Sequence, residues 1–322
     1  MFKHILVPLD GSPRAEQALP FAAQLARVYR STIVLARIVD IFETIGASSI
    51  QAAALTNEIR EIQEKDAQEY LQRICSSGPL EKLETSMEIH SGDVATTLLD
   101  IINKQSIDLV LLTSHGHTGQ KHWTLGSVAQ KMVHHCPVPV FNQRENYLFP
   151  PAAPTQDLTF CIALDGSLLA EASIPPTLYL AAAFAEPQHR EIHLLRVVKT
   201  LDIDRVEAFL KIHKLNIQKF LYDEARNYLK ELSESLNKDT AAQLGVQVTW
   251  SVSMGRDIAQ TIIREVEGET SLQSSPIAYS LLALATHGRS AIARWAAGSV
   301  AERIFHTTGL PLLVIHPPAQ NS

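Results

Sequence analysis

The chain has 322 residues, 46% hydrophobic and 19% charged, with a formal net charge of −6; that length suits two cores, since a domain of roughly 150 residues already buries about 70% of its unfolded surface. The charge divides evenly, with 13 basic and 16 acidic residues through Leu148 and 15 and 18 after it, so no basic half or stripe argues for nucleic acid. No apolar run approaches the roughly 18 residues of a membrane span, and a strand pattern starts directly after Met1, so neither a membrane segment nor a signal peptide is expected. Cys75, Cys136 and Cys161 lack metal-ligand spacing and read as buried thiols in a reducing cytoplasm.

In chain order, strands are predicted near 3–9, 32–39, 84–90, 107–112 and 138–141, with helices near 13–29, 50–75, 93–104 and 127–135. The continuously apolar runs among them suit strands covered on both faces, hence a parallel sheet between helix layers. The strand pattern returns near 159–164, 191–198, 246–253, 279–285 and 312–315. Between the two series, the stretch from Asn146 to Asp157 holds Pro150, Pro151 and Pro154 and reads as a linker. The expected organisation is therefore domain 1 over 1–148, a linker over 149–157 and domain 2 over 158–322.

The two series are copies of one another. His115-Gly116, nine residues, and Gly126-Ser127-Val128-Ala129 return 172 positions later as His287-Gly288, nine residues, and Gly298-Ser299-Val300-Ala301. Asp10 and Asp165 stand at matched strand ends, and Gly92-Asp93-Val94-Ala95 matches Gly255-Arg256-Asp257-Ile258-Ala259. A strand that opens into a glycine-bearing loop and then a helix offers free backbone N–H groups and the positive end of the helix dipole, which favour a phosphate. Ser12, before Pro13, and Ser167 are placed to cap the first helix of each copy. Ser127 to Gln130 and Ser299 to Glu302 fit capping boxes, with each serine a helix cap and a phosphate donor.

With these motifs the chain resembles the universal stress protein family in tandem form. Its nucleotide-binding members carry Gly-x2-Gly-x9-Gly-Ser/Thr after the fourth strand and an Asp at the end of the first. The resemblance implies two Rossmann-like domains, each a five-stranded parallel sheet between helix layers, that bind ATP, with or without Mg²⁺, or another adenine nucleotide in the crevice between strands one and four. By analogy Pro8, Leu9 and Asp10 face the ribose and adenine, Ile38 meets the adenine edge, and Gly116, Gly126, Ser127 and Val128 hold the phosphates. In the second copy the roles fall to Ala163, Leu164, Asp165, Val197, Gly288, Gly298, Ser299 and Val300. The resemblance also implies that the copies pack as an intramolecular pseudo-dimer through their last strands, with a further homodimer conceivable.

Two departures stand out. The family's first loop glycine is Thr113 in one copy and Ala285 in the other; if that position needs φ > 0, a β-branched residue is the worse substitute. Arg37 and Arg196 replace a common family histidine, and are expected as edge residues reaching solvent, with a phosphate contact as the alternative. The histidine cluster His115, His117 and His122 lacks a carboxylate or cysteine at ligand spacing, so no metal site is expected. No nucleophile elbow, Walker lysine or paired-carboxylate pattern is present. The expected function is a cytoplasmic stress-response regulator that binds adenine nucleotide, with no nucleic-acid or membrane partner and at most slow hydrolysis. The alternatives are a ligand-free tandem scaffold acting through protein contacts, and an ATPase or adenylate-acting enzyme.

Overall fold

The computed structural model describes residues 1–39, 50–76, 78–114, 126–145, 147, 158–184, 190–200, 217–268, 279–286 and 298–317. They form two compact units.

The first unit holds strands β1 (His4–Pro8), β2 (Thr32–Val39), β3 (Thr85–Ser91), β4 (Leu109–Ser114) and β5 (Val140–Arg144) in the order β3-β2-β1-β4-β5. Every pairing is parallel. The apolar runs dictate this, because Ile5 to Val7, Ile33 to Ala36 and Leu109 to Leu112 are buried on both faces and only crossover helices can cover both faces of a sheet. Those helices include α1 (Leu19–Tyr29), α2 (Ile50–Ser76), α3 (Val94–Lys104) and α4 (Ser127–His135). The order reverses between β1 and β4, which leaves a crevice beyond their carboxyl ends.

The second unit repeats the plan with β6 (Leu158–Ala163), β7 (Arg190–Lys199), β8 (Gln247–Gly255), β9 (Tyr279–Ala285) and β10 (Leu312–Ile315), ordered β10-β9-β6-β7-β8 and again all parallel. Its described helices are α5 (Leu168–Glu171), α6 (Ile174–Phe184), α7 (Ile217–Lys238), α8 (Thr240–Leu244), α9 (Ile258–Val266) and α10 (Ser299–Thr307).

Three sequence expectations are corrected. The helix expected over 13–29 is a 3-10 turn at Ala15–Ala18 followed by α1; Pro20, lacking an N–H, is tolerated in the first turn of a helix but not in the interior of a longer one. The last strand of unit 1 runs to Arg144, beyond the apolar stretch at 138–141, because Asn142, Gln143 and Arg144 are buried at 0–1% exposure. There Asn142 Nδ2 and Arg144 Nη1 donate to Ser114 Oγ at 3.1 and 3.2 Å. The capping boxes do not form: the N-caps are Gly126 and Gly298, in extended conformation and without a side-chain cap, so Ser127 and Ser299 are the first helical residues.

The repeated Gly-Asp motif has a structural role. Asp93 and Asp257 cap α3 and α9 by accepting from Thr96 N and Gln260 N, each at 2.9 Å. Their second oxygens reach a neighbouring helix, Asp93 to Lys131 of α4 at 3.2 Å and Asp257 to Arg303 of α10. The hydrogen bonds from Thr96, then the Lys131 ammonium, hold the Asp93 carboxyl down at about 2. No helix among the described residues is long and apolar enough to cross a membrane.

Candidate functional site

In each unit the carboxyl end of the first strand is built the same way. Leu9 and Leu164 continue the ladder, donating their N–H to Ala36 O at 2.8 Å and Leu195 O at 2.9 Å. The chain then turns through Asp10-Gly11-Ser12 and Asp165-Gly166-Ser167, with both glycines at positive φ, +82° and +85°. Asp10 Oδ1 accepts from Ser12 N at 2.9 Å and Ser12 Oγ at 2.5 Å, and Asp165 Oδ1 accepts the same pair at 2.9 and 2.6 Å. Ser12 Oγ and Ser167 Oγ in turn accept from Ala15 N and Ala170 N at 3.2 Å. Burial opposes the charge on Asp10, but the Ser12 hydrogen bonds and the Arg14 and Arg37 guanidiniums outweigh it and hold the carboxyl below its usual range. The aspartates thus shape the turn and still carry a second oxygen; Asp10 Oδ2 meets Arg14 at 3.2 Å.

In unit 2 this turn is one wall of a cavity of about 390 Å³, within the 300–1,000 Å³ range common for small-molecule sites. Ala163, Leu164, Asp165, Val197, Ala285, Gly298, Ser299 and Val300 all line it. Leu221, Ile258, Ile262 and Ile304 supply apolar walls, and Arg196, Lys199 and Glu224 supply charge. The start of α10 lines it too, where Gly298 N donates to Thr286 O at 2.8 Å and the N-cap Gly298 has no side chain to cap the helix. Such a slot offers apolar walls to a planar ring and free first-turn N–H groups to an anion. Gly288 lies outside the described residues.

In unit 1, Gly126 is the N-cap of α4, Ser127 is exposed and Val128 half-buried; Gly116 lies outside the described residues. Pro8 closes β1, Leu9 is buried and Asp10 is exposed. A cavity of about 400 Å³ sits beside β2, lined by Gly11, Arg37, Ile38, Val39, Gln63, Asp66, Ala67 and Tyr70. It includes Ile38 of the expected site residues. Thr113 is the next-to-last residue of β4 and Ala285 the last of β9, and neither has positive φ, so their replacement of glycine carries no backbone strain. The buried Thr113 Oγ1 has no hydrogen-bond partner among the described residues.

The expectation for the two arginines is overturned. Arg196 is 5% exposed; it donates to Glu224 Oε2 at 2.8 Å and Oε1 at 3.4 Å and lies over the Tyr228 ring, 5.2 Å from its centroid. Tyr228 Oη donates to Glu171 Oε1 at 2.9 Å. Arg37 lies 5.8 Å from the Tyr70 ring centroid, and Tyr70 Oη donates to Glu16 Oε1 at 3.0 Å. Burial and these carboxylates push both phenols up. Arg196 is buried and Arg37 half-buried, because β2 and β7 are interior strands, with β3 and β8 outside them, and a helix tyrosine lies beside each. Sequence reading missed Tyr70, Tyr228, Glu16 and Glu171. A signal existed, since each pair recurs at the repeat spacing, but tyrosine and glutamate on amphipathic helices carry no motif of their own. Among the described residues no group of three or more His, Cys, Asp or Glu is placed to hold a metal.

Comparison with known proteins finds the sequence profile of the Universal stress protein family matching residues 1–141 and again 160–316. A universal stress protein of Methanocaldococcus jannaschii is 26% identical over 140 residues, 43% of this chain and 81% of that protein. Universal stress protein A homolog 1 of Coxiella burnetii is 26% identical over 135 residues, 41% of this chain and 90% of that one. Among solved structures, a universal stress protein from Archaeoglobus fulgidus superposes with a TM-score of 0.67 at 15% identity, covering 98% of both chains. A protein of unknown function from Pseudomonas aeruginosa gives 0.59 at 17% identity, covering 98% of this chain and 93% of that one.

Proposed function

The chain belongs to the universal stress protein family, and from that premise we propose that it is a nucleotide-responsive stress protein that binds ATP or another adenine nucleotide, with unit 2 as its principal site. The observation that carries the reading is the unit 2 cavity, which gathers the carboxyl ends of β6, β7 and β9 and the start of α10 around one apolar slot. Val197, Leu221 and Ile258 would sandwich the base. Asp165, whose turn is fixed by Ser167, would accept from a ribose hydroxyl. The N–H groups of Ser299 and Val300, reinforced by the helix dipole, would hold phosphate oxygens, and Mg²⁺ would supply charge neutralisation to a bound triphosphate. No residue is assigned to hydrolysis.

Calorimetric titration of the full chain with ATP, with and without Mg²⁺, tests this. Saturable heat accompanied by a rise in Tm is expected. Neither heat nor a thermal shift at about 1 mM nucleotide, where a Kd corresponds to only about −4 kcal/mol, would replace this reading with that of a tandem scaffold acting through protein contacts.

A further inference from the structure

Strand β8 is the outer strand of the second sheet, and its register fixes which of its peptide groups point outward. Gly255 O accepts from Thr200 N on the β7 side at 2.9 Å, so Gly255 and, at period two, Ser253, Ser251 and Thr249 direct their N–H and C=O groups to β7. Val248, Trp250, Val252 and Met254 direct theirs away. Val248 shows the same parity, because its N–H donates to Asn237 Oδ1 at 3.0 Å and its C=O accepts from Asn237 Nδ2 at 2.9 Å. At that one residue the α7 amide stands in for a further strand. Among the described residues nothing does so at Trp250, Val252 or Met254, and the Met254 residue is 45% exposed.

An edge of this kind pairs with another strand unless something forbids it, and charge is the usual prohibition. The matching edge strand of unit 1, β3, carries Glu88, bonded to His90 Nε2 and Gln105 Nε2. Antiparallel self-pairing of β3 would bring like charges together. Strand β8, Gln247 to Gly255, has no charged side chain in nine residues. It is rich in the β-branched and aromatic types that pair well, Val248, Thr249, Trp250 and Val252.

We propose that the β8 edge is a homodimerisation surface on which a second copy of the chain adds its own β8 antiparallel, about a two-fold axis at Val252. In that register Val252 faces its own counterpart and Trp250 faces the partner's Met254, so outward peptide groups meet only outward ones. Asn237 ends the pairing at Val248 and so prevents further growth along the strand. The proposal does not depend on nucleotide binding.

Sedimentation of the full chain from about 1 μM to 1 mM, with hydrogen exchange at both ends of that range, tests it. Reversible dimerisation is expected, with the amides of Trp250, Val252 and Met254 slowing as concentration rises. Val252→Pro removes an outward N–H that the ladder to β7 does not use and should weaken dimerisation at least tenfold; Met254→Lys replaces the apolar contact with the partner's Trp250 by a charge on each side of the axis and should do likewise. If the proline variant does not fold, the lysine variant and the exchange data decide. A monomer at every concentration overturns the proposal. So does a dimer whose three amides exchange no more slowly than in the monomer, or one that persists unchanged in the folded variants.

Discussion

The two units share strand order, turn and helix caps, and differ most at the carboxyl end of the second strand. In unit 2 Arg196 is neutralised by Glu224 from α7. The matched position in unit 1 is Asp66, one methylene shorter, and there the guanidinium of Arg37 lies instead toward Leu9 O, 3.4 Å away. It also crowds Gly11, where a Cβ would come within 2.9 Å of Arg37 Nη1. The cation is thus paired with a helix carboxylate in unit 2 and leans over the Asp10 turn in unit 1, where the matched acid is one methylene shorter.

A second difference gives the largest expected effect. Where unit 1 has Val34, unit 2 has His193, 6% exposed, with Nδ1 2.8 Å from Thr249 Oγ1 and Nε2 2.8 Å from Ser251 Oγ. Thr249 Oγ1 donates to Glu191 Oε1, so it accepts from Nδ1–H, and Nε2 accepts from Ser251. Burial pulls the His193 pKa down to about 4. Because the unfolded chain binds the proton first, the neutral ring's contribution is complete above about pH 6.5 and is lost as pH falls toward 4, by roughly 3 kcal/mol in total. Denaturant melts at pH 7 and 4.5 should show it, and His193→Val should flatten the dependence. An equally steep slope in that variant would mean that other groups carry it.

Next in size is the response of nucleotide binding to the two helix-start glycines. Gly298→Val puts a branched side chain where a Cβ already lies 3.4 Å from Thr286 O and should weaken ATP binding on the order of 100-fold, the worth of one or two hydrogen bonds to a charged group. Gly126→Val should change total binding much less. The reverse ranking, measured by titration of both folded variants, would make unit 1 the principal site.

Smaller effects come from the arginines. Arg196→Ala leaves Glu224 without its cation and should cost about 2 kcal/mol, below the 3–5 typical of a fully buried pair because the Glu224 side chain is 41% exposed. Arg37→Ala should cost less than about 1 kcal/mol. Chemical denaturation of both variants ranks them; equal losses would erase the distinction drawn above. The smallest effect is expected at Asp93. With its carboxyl held at about 2, its contribution is present above the ordinary carboxylate range near 4 and disappears as pH falls through 2. Asp93→Asn should therefore move the acid-unfolding midpoint slightly upward, with the stabilities of the two proteins converging below pH 2.

Much of this architecture was legible because strands buried on both faces are written as continuous apolar runs, and all ten were found within a few residues. The reading stopped short where burial is polar: Asn142, Gln143 and Arg144 look like a surface turn until Ser114 and β4 are placed beside them. The helix starts were displaced by one residue because a serine followed by glutamine or glutamate satisfies the capping pattern whether or not its side chain turns back. The arginine, tyrosine and glutamate sets were hidden for a different reason. Arg196 and Glu224 are 28 residues apart and Tyr228 and Glu171 are 57, separations at which no local periodicity signals contact. Of the residues lining the unit 2 cavity, Asp165, Arg196, Gly298 and Ser299 are marked by the repeat, whereas Glu224, on a helix without a motif, is not.

The clamps from Asp93 to Lys131 and from Asp257 to Arg303 are exposed and contribute little energy each. Yet each ties the N-cap of one helix to the fifth residue of the next, the helix that opens at Gly126 or Gly298. That helix start is therefore held in place by the fold rather than by whatever docks on it. The entropy of arranging its N–H groups is lost once, during folding, and a ligand meets a preorganised surface. Affinity at such a site should be governed by how well a visitor matches a fixed geometry, with little to gain from adaptation after contact.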